Sequence, residues 1–162
     1  MVKYVLGVDP GLGGALAFLH PGGELVRVFD MPVMPNGKGK AKIKNQVNAA
    51  ALLQMIHSVG IPLIEMVAWM EMVSSMPKDA QSIAFSLGDS VGSVRGVLAA
   101  VGIPLTLVRA MEWKRHFDLL KLDKDFARTK AQQLYPTAPL ELKKHGGRAD
   151  AILIARYGSV QP

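Results

Sequence analysis

The stretch Val5-Leu6-Gly7-Val8-Asp9-Pro10-Gly11-Leu12-Gly13-Gly14-Ala15 carries the decisive pattern of this 162-residue chain. An apolar run with strand character ends on an acidic residue, and a turn rich in Pro and Gly follows at once. Val5, Leu6 and Val8 read as core. Asp9 then stands at the mouth of a strand, beside glycines that let backbone or ligand approach closely. A carboxylate held at such a place is costly to desolvate unless it binds something. The plainer reading is an Asp that starts a turn. Two acids farther along the chain weigh against it.

Glu71 lies inside the apolar run Met66-Val67-Ala68-Trp69-Met70-Glu71-Met72, just before the polar Ser74-Ser75. That position is the end of a buried strand. Asp150 lies in Arg148-Ala149-Asp150-Ala151-Ile152-Leu153, in the first turn of a helix. An acid there is ordinarily a partner of the helix dipole. Three carboxylates at two strand ends and one helix start form a joint pattern. Clustered carboxylates are the ligand set of Mg²⁺ or Mn²⁺, and two such ions about 3.5–4 Å apart drive in-line phosphodiester hydrolysis.

The charge balance points to a polyanion. Lys and Arg total 19 against 13 for Asp and Glu, a net charge of +6. Lys38, Lys40, Lys42 and Lys44 fall in one stretch with no acid, a poor structural element and a good phosphate-binding arm. A second basic region runs from Arg109 to Arg148 and includes Lys114 and Lys124. There are no cysteines, which removes disulfides, thiolate nucleophiles and Cys-based zinc sites and fits a cytoplasmic setting. No apolar run is long and clean enough to span a membrane, and no signal peptide is expected.

The length favours one domain over 1–162. Strands are expected at 3–9, 14–20 and 24–31, as an antiparallel meander, and then at 66–72 and 104–109. Helices are expected at 46–58, 79–101, 111–117, 123–134 and 147–158, with 32–45 as loop. The order describes an α/β fold, a mixed five-stranded sheet flanked by helices. Gly88, Gly92 and Gly96 are spaced to share one face of the long helix. Such a smooth face allows close packing against another helix, of this chain or of a second copy, or against DNA; core packing is the commoner role of that face and of Phe85.

Gly7-Val8-Asp9-Pro10-Gly11, Glu71 with Val73-Ser74-Ser75-Met76-Pro77, Leu98-Ala99-Ala100-Val101-Gly102-Ile103-Pro104, Trp113-Lys114 and Arg148-Ala149-Asp150-Ala151 together resemble a phage or prophage member of the RuvC family. These are Holliday junction resolvases of the RNase H-like superfamily, and the resemblance covers nearly the whole chain. It implies an RNase H-like nuclease domain, a homodimer, and Mg²⁺-dependent paired nicks in a four-way DNA junction. Asp9, Glu71 and Asp150 would be the metal-binding carboxylates, holding two ions with Mn²⁺ as a possible substitute. Lys114 and Lys124 match basic positions near the scissile phosphate, and Ser74 and Ser75 would face the junction centre. Lys38, Lys40, Lys42, Lys44 and Arg148 complete the expected DNA contacts. No small-molecule cofactor is implied.

The sequence departs from the family at one point. Gly147 stands where a fourth metal-site residue, Asp or His, is usual, three positions before the last Asp. His145 is the candidate substitute, as ligand or as orienter of a water. The alternatives are a nuclease for flaps or other branched DNA, and a junction-binding protein that has lost catalysis. An actin-like phosphotransfer fold needs a second nucleotide-binding half, for which the chain has no room.

Overall fold

The run that ends in Asp9 is the central strand of the sheet. In the computed structural model, described for residues 3–37, 45–74 and 80–161, β1 (Tyr4–Asp9) lies between β2 (Ala15–Leu19) and β6 (Met66–Met72). β3 (Leu25–Asp30) and β7 (Leu105–Arg109) form the edges, giving the order β3-β2-β1-β6-β7. The first three strands form the expected antiparallel meander, and β6 and β7 run parallel to β1. The sheet is therefore mixed and five-stranded, as the sequence pattern required.

The period of two along β1 and β6 sorts their side chains between two layers. Leu6, Val8, Met66, Ala68 and Met70 pack on one face, with Leu52 and Ile56 of α1 (Ala49–Ser58) and Val94 and Leu98 of α2 (Gln81–Ala100). Val5, Val67 and Trp69 pack on the other, with α5 (Gly146–Ser159). Ala149, Ala151, Ile152, Leu153, Ile154 and Ala155 of α5 are all fully buried. α3 (Ala110–His116) and α4 (Lys124–Leu134) contribute Trp113, Ala127 and Ala131 to the same layer.

Backbone contact sets how close α5 comes to the sheet. A methyl group built on Gly7 of β1 would stand 2.2 Å from the Ala151 carbonyl oxygen and 2.5 Å from the Ala155 nitrogen. Only a residue without a side chain permits that approach.

Three local expectations need correction. Residues 32–45 are not wholly loop: β4 (Val33–Pro35) pairs antiparallel with β5 (Asn45–Val47) in a small separate sheet. Strands of three residues are too short to show alternation. The following helix starts three residues later than expected, where the Asn48 side chain accepts the Ala51 N–H at 3.0 Å and sets its first turn. On α2, Phe85 is 66% exposed, and Gly88, Gly92 and Gly96 have open space beside them. That face of α2 is therefore not part of the core among the described residues.

Candidate metal centre and its basic surround

Strand register alone brings the first two acids together. Val8 is paired with Met70 across the parallel β1–β6 ladder, so Asp9 and Glu71 are the next neighbours along it. Adjacent strands lie about 4.8 Å apart, and both residues belong to the odd-numbered set that faces α5. Asp150 comes from α5 itself, as its fifth residue. The flush packing of Gly7 against Ala151 seats that turn of the helix over the end of β1.

The electrostatics report the same convergence. Burial pushes the Asp9 carboxyl up to about 6, with the negative charge of Glu71 adding to it; the Gly11 backbone N–H and the Lys124 and Lys114 charges pull the other way. Burial likewise pushes Asp150 up to about 7, reinforced by Asp9 and then Glu71, and opposed by Lys114 and Lys124. Three carboxylates and two lysines thus share one electrostatic neighbourhood.

Glu71 has a partner that the sequence did not show. The indole Nε1 of Trp113 donates to its Oε2 at 2.8 Å. Trp113 is fully buried, and it sits there because α3 begins directly after β7. The Arg109 N–H donates to Glu112 Oε2 at 2.8 Å, which holds the first turn of α3. The Lys114 ammonium lies 5.2 Å from the centroid of the Trp113 ring.

The donor set is all carboxylate oxygen, which suits a hard divalent cation such as Mg²⁺ or Mn²⁺. Two of the three acids carry upward shifts caused by burial and by one another, and a cation bound among them relieves both causes. Among the described residues, no three His, Asp or Glu side chains are already drawn around a single point. The residues fit the cation by donor chemistry and by their shared electrostatic neighbourhood.

Gly147 and His145 have structural explanations. A methyl group on Gly147 would stand 2.3 Å from the Gly13 carbonyl oxygen and 2.9 Å from Gly14 Cα. The start of α5 is pressed against the turn that follows β1, and no side chain can occupy the position of the missing fourth residue. His145 is buried, with Nδ1 accepting the Leu142 N–H at 3.3 Å and lying 3.9 Å from the Glu141 carboxylate. The imidazole closes the turn before α5, which its position in the sequence left open.

Arg148, expected on DNA, is committed within the fold. Its Nε and one terminal nitrogen donate to the two Asp30 carboxylate oxygens at 2.6 and 2.7 Å, and the other donates to the Pro139 carbonyl at 3.1 Å. The pair ties the end of β3 to α5, and the guanidinium holds the Asp30 carboxyl below the usual carboxylate range. Ser74 is exposed just beyond β6. Ser75 and Lys38, Lys40, Lys42 and Lys44 lie outside the described residues; the lysines belong to the segment joining β4 to β5. A groove is lined by Lys124, Asp125, Arg128, Lys143 and Gly146, with Arg128 held by Asp125 and by the Leu140 carbonyl. No helix among the described residues is long and apolar enough to cross a membrane.

No protein-family model matches the chain. It is 28% identical over 150 residues to the chloroplastic Holliday junction resolvase MOC1 of Chlamydomonas reinhardtii, an alignment that covers 82% of this chain and 17% of that protein. The chain thus spans 17% of the length of that curated relative. Among solved structures it is similar to Thermus thermophilus RuvC in complex with a Holliday junction substrate, with a TM-score of 0.62 and 16% identity over 95% of this chain and 91% of that one. A second Thermus thermophilus RuvC structure gives a TM-score of 0.55 and 18% identity, covering 95% and 92%. The fold is the RNase H-like fold of RuvC, and the resemblance read from the sequence motifs extends to the architecture.

Proposed function

We propose that this chain is a metal-dependent, structure-specific endodeoxyribonuclease that resolves four-way DNA junctions by paired nicks. The observation that carries the reading is the meeting of Asp9, Glu71 and Asp150 at one end of the sheet, with Lys114 and Lys124 acting on the same acids. The likeness to MOC1 and to junction-bound RuvC supports the choice of substrate.

Asp9, Glu71 and Asp150 would hold the cations, two Mg²⁺ per site, with Mn²⁺ able to replace them. Bound there, such a pair supplies Lewis-acid charge at the scissile phosphate and lowers the pKa of an attacking water. The protein's own part is placement. β1 and β6 present two carboxylates in fixed register, and α5 brings the third. Lys114 and Lys124 balance the acids and would face the phosphate oxygens, and Lys143, which shares a groove with Lys124, would continue the positive path for a DNA backbone. The lysines at 38, 40, 42 and 44, outside the described residues, would make phosphate contacts that read no bases.

Two symmetric nicks need two sites related by a two-fold axis, which a homodimer provides. The exposed side of α2, with Ile83, Phe85 and its open glycines, is the surface assigned to the second copy.

The test is cleavage of a labelled four-way junction beside duplex, flap and single strand, with Mg²⁺, with Mn²⁺ and with no metal. Paired nicks in the junction, dependent on the cation, are expected. Preference for a flap would reassign the substrate, and junction binding without cleavage under any metal would leave a binding protein.

A further inference from the structure

We infer that Trp113 is a positioning residue of the carboxylate site: its indole edge fixes the Glu71 carboxylate and its face holds the Lys114 ammonium. The inference rests on the cation-dependent reading above and assigns a residue to it.

The indole N–H is a donor with no acceptor capacity. In a fully buried side chain it costs stability unless it is satisfied, and Glu71 Oε2 at 2.8 Å satisfies it. The acceptor is ionisable, which makes the bond stronger than a bond between neutral groups. Glu71 gains in return. Its side chain stands near the end of β6, where free rotation about its side-chain bonds would spread the carboxylate over several positions. The bond to a residue locked in the core selects one. With Oε2 engaged, Oε1 makes no hydrogen bond among the described residues. Oε1 is therefore left free of the indole and would be the oxygen offered to a cation.

The same ring carries a second task. The Lys114 ammonium lies 5.2 Å from its centroid, within cation–π range. Lys114 acts on both Asp9 and Asp150. One buried indole thereby coordinates the orientation of a carboxylate ligand and of the cationic side chain opposite it. Groups that orient a ligand in this way typically account for 10- to 100-fold in metal affinity.

Amide and indole ¹H–¹⁵N NMR, with calorimetry for Mg²⁺ alone, tests the inference. The chain has two tryptophans, and Trp69→Phe assigns their indole signals. In metal-free protein, Glu71→Gln should move the Trp113 indole signal upfield and leave Trp69 in place. In the wild type, the Trp113 signal should move during Mg²⁺ titration with the calorimetric midpoint. Trp113→Phe should raise the Mg²⁺ dissociation constant 10- to 100-fold, and the Mg²⁺ concentration for half-maximal cleavage by the same factor, with most of the rate recovered at saturating Mg²⁺. A tryptophan that only fills the core would lower the melting temperature and leave Mg²⁺ affinity unchanged, which would overturn the proposal. So would a Trp113 indole signal indifferent to Glu71→Gln, a readout that needs no Trp113 variant to fold. If the wild type bound no Mg²⁺, the cation-dependent function would fall instead, while the Glu71→Gln shift would still report the hydrogen bond.

Discussion

α5 and α2 cover opposite faces of the same sheet and spend their residues differently. Six consecutive-turn residues of α5, from Ala149 and Ala151 through Ala155, are fully buried, and its backbone touches the strand at Gly7 and the turn at Gly13. α2 is longer, yet only Ser90, Val94 and Leu98 are buried on it, while Ile83 and Phe85 stand out. One helix is consumed by the interior and places an acid. The other leaves a side open, which is where a second copy is assigned. A helix at zero clearance and a helix with room to spare make opposite demands on glycine.

The largest expected effect lies on the α5 side. Asp9→Asn should cut junction cleavage by at least about a thousandfold, about 4 kcal/mol of barrier, with the fold intact by circular dichroism. Binding should hold or tighten, since a negative charge near phosphate is removed. Appreciable Mg²⁺-dependent cleavage by the variant would remove Asp9 from the site.

Gly7→Ala is next. The added methyl meets backbone atoms, which cannot step aside as a flexible side chain can. A loss of about 1–3 kcal/mol is expected in urea denaturation, accompanied by weakened Mg²⁺ binding as α5 is pushed outward. Wild-type stability would mean that the helix does not bear on the strand.

The charge state of the site gives a third measurement. Asp9 and Asp150 hold protons up to about pH 6 and about pH 7 in the folded chain, against 3.8 in the unfolded one. The folded state therefore binds more protons between pH 4 and 7, and stability falls as pH rises through that window. Metal-free protein should melt several degrees higher at pH 5 than at pH 8, corresponding to roughly 2–4 kcal/mol. Mg²⁺ should restore most of the difference at pH 8 and add little at pH 5. A melting temperature that rises from pH 5 to 8 in EDTA would contradict the clustering of the acids.

The same change of glycine to alanine should have the opposite sign on α2. Gly92→Ala enters open space and improves helix propensity, so a gain of up to about 1 kcal/mol is expected in urea denaturation. The smallest effect on the fold should come from Phe85→Ser, within about 0.5 kcal/mol for a mostly exposed side chain. Its sedimentation mass should nonetheless drop toward the monomer; an unchanged dimer would move the second copy off this face.

Much of this arrangement was legible in the sequence because it depends on local rules. Alternation in 3–9 and 66–72 gave two strands that end in acids, and the helical spacing after Arg148 gave the third. Parity then placed Asp9 and Glu71 on one face once the strands were parallel neighbours. What escaped depends on distant partners. Nothing near Arg148 announces Asp30, and nothing near Glu71 announces Trp113, although Trp113-Lys114 stood out as a motif. Gly147 read as a lost ligand because a missing side chain looks the same whether function has lapsed or backbone is in the way. Phe85 read as core because a large apolar residue on a helix usually is.

The contact between Gly7 and Ala151 also has a bearing on time. A ribosome makes Asp9 and Glu71 early and Asp150 late, so the acids meet only after α5 has been made and laid against β1. Contacts between residues so far apart in sequence form slowly, after local structure is in place. On the proposed function, the basic residues assigned to DNA are made before the third acid, whose arrival depends on α5. The docking of one helix would then be the step that completes the proposed site.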